Sequence, residues 1–244
     1  GAKSVLPGVA GDMSVMHNHN AAMIADPGST WGVTAANPIM REGRAAARLC
    51  PPSMILNVTL NKAKAITGVF AGELEAAHEA GCRFVKEAVM RPVARPADVV
   101  ITTNSGYPLD QNLYQAVKGM SAGATVARPG GTIICAAECR DGLPDHGSYG
   151  RLLAARDSPA ALLEMIAEAP ETIPDQWQVQ VQARIQVAHE VLVRTDGLSD
   201  DAVRAAHLTP IDDVSDTLER LLAATPDASI CVLPQGPQTI PYVA

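Results

Sequence analysis

Short apolar segments alternate with longer segments of helical spacing along the second half of the chain. Apolar, β-branched runs predict strands at residues 98–102, 132–136, 191–194 and 229–233, and Arg-Pro-Gly-Gly at 128–131 predicts a turn. Amphipathic spacing predicts helices at 111–122, 149–156, 160–169, 176–189, 200–207 and 213–224. Such alternation is typical of a doubly wound, mostly parallel sheet covered by helices on both faces. Ligands of these sheets bind beyond the carboxyl ends of the strands, where the loop 104–108 lies.

The first half of the chain also reads as mixed α/β structure. Residues 54–60 and 65–71 predict strands, and residues 73–89 predict a helix. Two prolines within the five residues 92–96 predict a linker. We therefore predict two α/β domains, residues 1–91 and 92–244, the first of them incomplete at its N-terminus.

The densest group of candidate functional residues lies at the very start of the sequence. Chain termini are usually frayed, and no initiator methionine or signal peptide precedes this group. We expect the chain to be the C-terminal portion of a longer parent that also supplies a missing N-terminal segment. The alternative is a small domain with an expression scar at Gly1 and Ala2.

Charge and composition exclude several classes of protein. The net charge of −7, from 19 basic and 26 acidic residues, argues against a nucleic-acid-binding surface. No apolar run approaches the roughly 18 residues that a membrane span needs. The five cysteines are odd in number and scattered, which indicates reduced thiols and a cytoplasmic protein.

The opening segment combines an amine with two imidazoles. Lys3 precedes a loop rich in proline and glycine, and Asp12 is a candidate N-cap for a helix that carries His17 and His19. Residues two apart on a helix point in nearly opposite directions, so only one of these imidazoles could enter a given site. A neutral imidazole is a good ligand for nickel, zinc or copper, and a lysine amine can anchor a covalent group. Surface histidines and a solvated lysine are the simpler interpretation of the pattern alone.

A second group of polar residues lies on the predicted helix 111–122. Gln115 and Lys118 are three residues apart, so they share a face that could bind an anionic, oxygen-rich ligand, and Tyr114 lies beside them. A solvated polar stripe is the alternative. Trp177, one of only two tryptophans, stands at a predicted helix start, where its indole could line a pocket or fill the core.

The common catalytic and nucleotide-binding motifs are absent. The sequence contains no Gly-x-Ser-x-Gly, no Gly-x-Gly-x-x-Gly and no Walker phosphate loop. His78, His189 and His207 lie in predicted helices, and we interpret them as structural. A metal site at Cys135 and Cys139 is disfavoured because Cys135 ends an apolar strand.

Taken together, these residues resemble the lactate racemase family, and the resemblance covers nearly the whole chain. The family's loop reads Gly-Gly-Arg-Lys-Ser-x-x-Pro-Gly, and residues 3–8, Lys-Ser-Val-Leu-Pro-Gly, stand in register with it. Ala2 replaces the family's arginine. Residues 103–120 closely resemble the family's substrate segment in the second domain, and Trp177 falls at the position of an active-site tryptophan.

The resemblance implies racemisation or epimerisation of a 2-hydroxy acid by reversible hydride transfer. It implies a nickel-pincer nucleotide, pyridinium-3-thioamide-5-thiocarboxylic acid mononucleotide, bonded to Lys3, with His19, 16 residues later, as a nickel ligand. Gln115, Lys118, Tyr114 and Trp177 would contact the substrate or wall its pocket. The partners implied are a small 2-hydroxy acid and the proteins that make the cofactor, but the sequence does not specify which 2-hydroxy acid.

The family's two acid/base histidines have no counterpart in this sequence. We therefore expect this chain to be inactive by itself and its longer parent to be active. Two alternatives remain: a noncatalytic α/β nucleotide-binding module, and a metal-dependent hydrolase that uses His17 and His19 together.

Overall fold

The computed structural model describes residues 1–144 and 146–244. These residues form two compact units, Gly1–Met90 and Arg91–Ala244, so the division falls one residue before the predicted boundary. Within the described residues, no helix has both the length and the apolar character needed to cross a membrane.

The first unit consists of short helices and a single antiparallel hairpin. Its helices are α1 (Asp12–Asn18), α2 (Ala21–Ala25), α3 (Pro38–Leu49) and α4 (Leu74–Val89), and its strands are β1 (Ile55–Leu60) and β2 (Ile66–Gly72). Val58 pairs with Val69 at the middle of the hairpin. Helix α4 packs on one face of it, where the rings of Phe70 and Phe84 lie 5.5 Å apart.

Two predictions for the first unit need correction. Helix α1 begins at Asp12 and is capped by Gly11, without a side-chain hydrogen bond, so Asp12 is not the N-cap. Helix α3 was not predicted, although its local signal is clear. Asn37 accepts hydrogen bonds from the backbone N–H groups of Ile39 and Met40 at 3.0 and 3.3 Å, and Pro38 occupies the first helical position.

The second unit is the predicted doubly wound α/β domain. Its strands are β3 (Met90–Val93), β4 (Ala97–Thr103), β5 (Ala127–Ala136), β6 (Glu190–Arg194), β7 (Thr209–Pro210), β8 (Ile230–Leu233) and β9 (Ile240–Val243). Its helices are α5 (Leu113–Ala124), α6 (Tyr149–Leu153), α7 (Pro159–Glu168), α8 (Gln176–Ala188), α9 (Asp200–Ala205) and α10 (Val214–Ala224). Five strands form a parallel sheet in the order β7-β6-β5-β4-β8, which confirms the predicted fold class.

Helices cover both faces of this sheet. On one face Val99, Ile134 and Leu192 form an apolar cluster against side chains of α10. On the other face α5 packs on the sheet, with Gly123 facing the side chains of Val100 and Ile133. Because both faces of the central strands β4, β5 and β6 are buried, these strands are largely apolar, and the sequence pattern therefore predicted them.

Two segments predicted as irregular are strands instead. Part of the predicted linker 92–96 belongs to β3, which pairs with β9 at the end of the chain. The predicted turn 128–131 lies inside β5, where the pairing with β4 jumps from Ala97↔Ala127 to Val99↔Thr132. A bulge of this kind places turn residues in a strand without ending it.

The chain order reverses beside β4, because β8 lies on one side of it and β5 on the other. The carbonyl oxygen of Thr103, at the end of β4, is approached by two glycines. A Cβ atom at Gly119 of α5 would lie 2.2 Å from that oxygen, and one at Gly236 would lie 1.8 Å from it. The absence of these side chains lets α5 and the segment after β8 close on the end of β4.

We predict that Gly119→Ala destabilises the second unit by about 1–3 kcal/mol, because the new methyl group overlaps a backbone oxygen. Gly123→Ala on the same helix is the matched control, since its Cβ would have ordinary contacts of 3.4 Å and longer. Alanine there should be neutral or stabilising by up to about 1 kcal/mol. Urea unfolding followed by circular dichroism measures both, and equal midpoints for the two variants would contradict the packing described.

Candidate functional site

The segment that carries Lys3 is a tight turn fixed by its neighbours. Residues Ala2–Ser4 form a single 3₁₀ turn, and the N–H of Gly8 donates to the carbonyl of Lys3 at 2.9 Å. The side chain of Ala2 is buried in a cluster with Ala47 and Leu74, whereas Lys3 is exposed. A Cβ at Gly8 would lie 2.3 Å from the carbonyl of Ser4, so the loop needs glycine there. A buried residue therefore anchors an exposed amine on a rigid turn.

His19 ends helix α1 and is held as a neutral imidazole. Its Nδ1 lies 3.2 Å from the carbonyl oxygen of Val15, which can only accept a hydrogen bond. Nδ1 therefore carries the proton, and Nε2 carries the lone pair that a metal ion would need. Burial lowers the pKa of His19 below its ordinary value. The positive charge of Lys3 lowers this pKa further, while the hydrogen bond to Val15 and the charge of Glu42 raise it.

His17 belongs to a different contact. Its Nε2 lies 3.2 Å from Oε1 of Glu42, and the ring is largely exposed. The other oxygen of Glu42 accepts a hydrogen bond from the side chain of Asn18 at 2.5 Å. His17 thus helps join α1 to α3. Among the residues that the structure describes, no group of three His, Cys, Asp or Glu side chains is placed to hold a metal ion.

The predicted polar pair on α5 is formed. Lys118 donates through Nζ to Oε1 of Gln115 at 2.5 Å. The side chain of Asn112 caps the helix by accepting from the backbone N–H of Gln115 at 3.1 Å. Lys118 is exposed and Gln115 is half-buried. An ammonium group and an amide therefore stand side by side at the start of this helix.

The start of α5 is tied to the segment after β5, through contacts that sequence reasoning missed. The carboxylate of Asp110 accepts a hydrogen bond from the backbone N–H of Glu138 at 2.9 Å, and the backbone carbonyl of Asp110 accepts one from the N–H of Cys139 at 3.1 Å. The backbone N–H of Asp141 donates to the carbonyl of Gln111 at 2.8 Å. Asp110 is buried, and its place in a polar loop carries no signal of this role. These bonds hold the helix start in register with the edge of the sheet.

Tyr114 and Trp177 contact each other directly. The indole Nε1 of Trp177 donates to the hydroxyl of Tyr114 at 3.0 Å. Burial raises the pKa of Tyr114, which keeps its hydroxyl protonated at neutral pH and able to donate in turn. The site therefore has an aromatic wall with a hydroxyl at its edge.

The loops that follow β4 and β8 are joined where the strand order reverses. Thr103 donates through Oγ1 to the carbonyl of Pro234 at 3.0 Å, and the hydroxyl of Ser105 donates to the carbonyl of Gln235. Crevices at such a reversal are the usual ligand sites of open α/β sheets. The polar end of α5 follows this loop directly in the chain.

The two cysteines nearest the end of β5, Cys135 and Cys139, do not form a reactive centre. All five are free thiols, and Cys135 and Cys139 are buried. Burial raises the pKa of Cys139 to about 11 and that of Cys135 further. A thiol of that kind is neutral at physiological pH, so it is neither a nucleophile nor a ready metal ligand.

Comparison with known proteins places this arrangement in a recognised class. The lactate racemase C-terminal domain matches residues 93–240, and the lactate racemase N-terminal domain matches residues 1–32. The chain belongs to the lactate racemase family, as its resemblance in sequence predicted.

Two characterised relatives agree with this assignment. The chain is 40% identical to the lactate racemase of Thermoanaerobacterium thermosaccharolyticum over 98% of its own length and 57% of that enzyme. It is 41% identical to the lactate racemase of Lactiplantibacillus plantarum over 97% of its length and 56% of that enzyme. The chain thus spans somewhat more than half the length of these relatives.

Solved structures support the fold independently. The lactate racemase apoprotein from Thermoanaerobacterium thermosaccharolyticum superposes with a TM-score of 0.93 at 39% identity, over 99% of this chain and 58% of that one. A protein from Thermotoga maritima shares the fold at 14% identity, with a TM-score of 0.59 over 85% of this chain and 54% of that one.

We predict that the pKa of His19, measured by NMR titration of the imidazole, lies below its ordinary value of 6.5. Lys3→Met should raise it, because a positive neighbour is removed, whereas Lys62→Met should leave it unchanged. The unfolded chain binds this proton more readily than the folded one, so the contribution of His19 makes the free energy of unfolding fall as the pH drops below about 6.5. If the pKa of His19 is the same in Lys3→Met as in the unsubstituted chain, the side chains of Lys3 and His19 do not share a site.

Proposed function

We propose that this chain takes part in the racemisation or epimerisation of a lactate-like 2-hydroxy acid by reversible hydride transfer. The observation that carries the proposal is the neutral His19, whose Nδ1 donates to the carbonyl of Val15, in the same unit as the exposed amine of Lys3. Lys3 and His19 stand in the register of the family's cofactor lysine and nickel ligand. The names of the relatives, lactate racemases of two organisms, agree with it.

The residues of the first unit suit a nickel-pincer mononucleotide. An exposed amine on a rigid turn is available for a covalent bond, and a neutral imidazole with its lone pair on Nε2 is the donor that nickel prefers. Lys3 would therefore hold the nucleotide and His19 would bind its nickel. The chemistry supplied by that group, when bound, is reversible acceptance of the hydride from the substrate's α-carbon.

The residues of the second unit suit the substrate. The ammonium of Lys118 attracts a carboxylate, and the amide nitrogen of Gln115 can donate to one of its oxygens, since Oε1 of Gln115 accepts from Lys118. The protonated hydroxyl of Tyr114 offers a further donor, and the indole of Trp177 provides an apolar wall that excludes water. Together they bind and orient the substrate.

The proposal predicts a covalent adduct on one lysine. After co-expression with the proteins that synthesise the cofactor, intact-mass spectrometry should show a nickel-containing adduct on Lys3, and Lys3→Arg should abolish it. His19→Ala should lower nickel content, whereas His17→Ala, which removes an imidazole two residues away, should not. A bare mass, or equal nickel loss in both histidine variants, would contradict the assignment.

We also propose that the chain by itself does not turn over substrate. Its matched relatives are nearly twice as long, and the family's acid/base histidines have no counterpart here. Because the proton of the substrate hydroxyl then has no partner, removal of hydride is disfavoured.

The expected result is therefore no racemisation. Purified chain mixed with cofactor-loaded extract should leave the optical rotation of L-lactate unchanged over the background of the extract alone. Turnover above that background would show that the chain carries a complete set of catalytic groups.

A further inference from the structure

A second tyrosine lies behind the aromatic wall. The ring of Tyr149 packs edge-on against Tyr114, with centroids 5.3 Å apart and planes at 77°. Tyr149 is only 1% exposed, and its hydroxyl donates to Oε1 of Gln182, which is fully buried. Burial raises the pKa of Tyr149 well above its usual range, so this hydroxyl remains a donor.

The amide of Gln182 is engaged at both ends. Its Oε1 accepts from Tyr149, and its Nε2 donates to the carbonyl of Ala206 at 2.8 Å. Each amide atom has one partner of the complementary type, so the side chain has a single orientation in which both bonds form. Gln182 thus ties the ring of Tyr149 to the end of α9.

Tyr114 is consequently restrained at three points. Trp177 bonds its hydroxyl, Tyr149 packs against its ring, and Nε2 of Gln178 donates to its backbone carbonyl at 2.5 Å. The first and third restraints come from neighbouring residues at the start of α8. The second depends on Tyr149, whose own position depends on Gln182.

We propose that Tyr149 and Gln182 are positioning residues that hold the ring of Tyr114, and with it the indole of Trp177, in the orientation that binds the 2-hydroxy acid. The role in substrate binding rests on the proposed function, but the contacts among Tyr149, Gln182 and Tyr114 all lie within the second unit. Neither residue contacts the substrate in this account. Their effect passes through the edge-on ring contact and the indole hydrogen bond.

A matched pair of glutamines separates positioning from general anchoring. Gln186 also donates through Nε2 to the carbonyl of Ala206, at 3.0 Å, and to the carbonyl of His207, at 2.6 Å, rather than to Tyr149. Gln182→Met and Gln186→Met therefore each remove an amide bond to Ala206, and only the first removes the partner of Tyr149. Tyr149→Phe removes the same hydrogen bond while it keeps the ring.

The readout is the indole N–H resonance of Trp177 in chain labelled with ¹⁵N-indole tryptophan. The chain has two tryptophans, so Trp31→Phe assigns the two signals. Tyr149→Phe and Gln182→Met should shift the Trp177 signal and speed exchange of its proton about fivefold, the effect of weakening one hydrogen bond by about 1 kcal/mol. Gln186→Met should leave both unchanged, and Tyr242→Phe is the control for loss of a tyrosine hydroxyl remote from this network.

An unchanged Trp177 signal in Tyr149→Phe, or an equal change in Gln186→Met, would overturn the proposal. If Gln182→Met fails to fold, Tyr149→Phe decides it alone. The measurement needs neither cofactor nor turnover, so a negative adduct experiment at Lys3 would leave it intact. Conversely, an adduct on Lys3 with an unchanged indole signal would support the proposed function and reject the positioning role.

Discussion

The second unit depends on a close backbone contact at the carboxyl end of β4. The carbonyl of Thr103 lies where a Cβ atom on either Gly119 or Gly236 would overlap it. This contact allows α5 to pack closely on the sheet. It also brings the loop after β8 against the loop after β4. The position of α5 on the sheet, and therefore the positions of its side chains Gln115 and Lys118, depend on this contact of Gly119 with the Thr103 carbonyl.

Burial moves the pKa values of the candidate groups toward their neutral forms. Desolvation disfavours the charged form of an ionisable group, so it lowers the pKa of His19 and raises that of Tyr114, whose hydroxyl is protonated at neutral pH. The first becomes a metal donor and the second a hydrogen-bond donor. The same effect makes Cys135 and Cys139 unreactive, because no nearby cation opposes it.

The hydrophobic pattern predicted strands correctly where the strands are buried in the sheet. The four strands predicted in the second half all exist. For β4, β5 and β6 the reason is that a strand covered on both faces must be apolar, whereas the edge strand β8 is apolar although Ile230 and Val232 are exposed. The pattern failed at 128–131 and 92–96, where proline and glycine suggested a turn and a linker. At 92–96, pairing of β3 with β9 outweighed local preference. Residues 128–131 keep a turn-like path as a bulge, because only the flanking Ala127 and Thr132 pair with β4. Helix α3 was missed although Asn37 and Pro38 mark its start.

The sequence by itself determined the family, the α/β class and the identity of the candidate residues, because motifs and periodicity are local properties of the chain. Only the tertiary structure decided that Nδ1 of His19 bonds to the carbonyl of Val15, whereas Nε2 of His17 lies against the carboxylate of Glu42. The contacts of Tyr114 with Trp177 and Tyr149 bridge 63 and 35 positions of sequence. Such contacts, and the burial that shifts each pKa, exist only after the chain has folded.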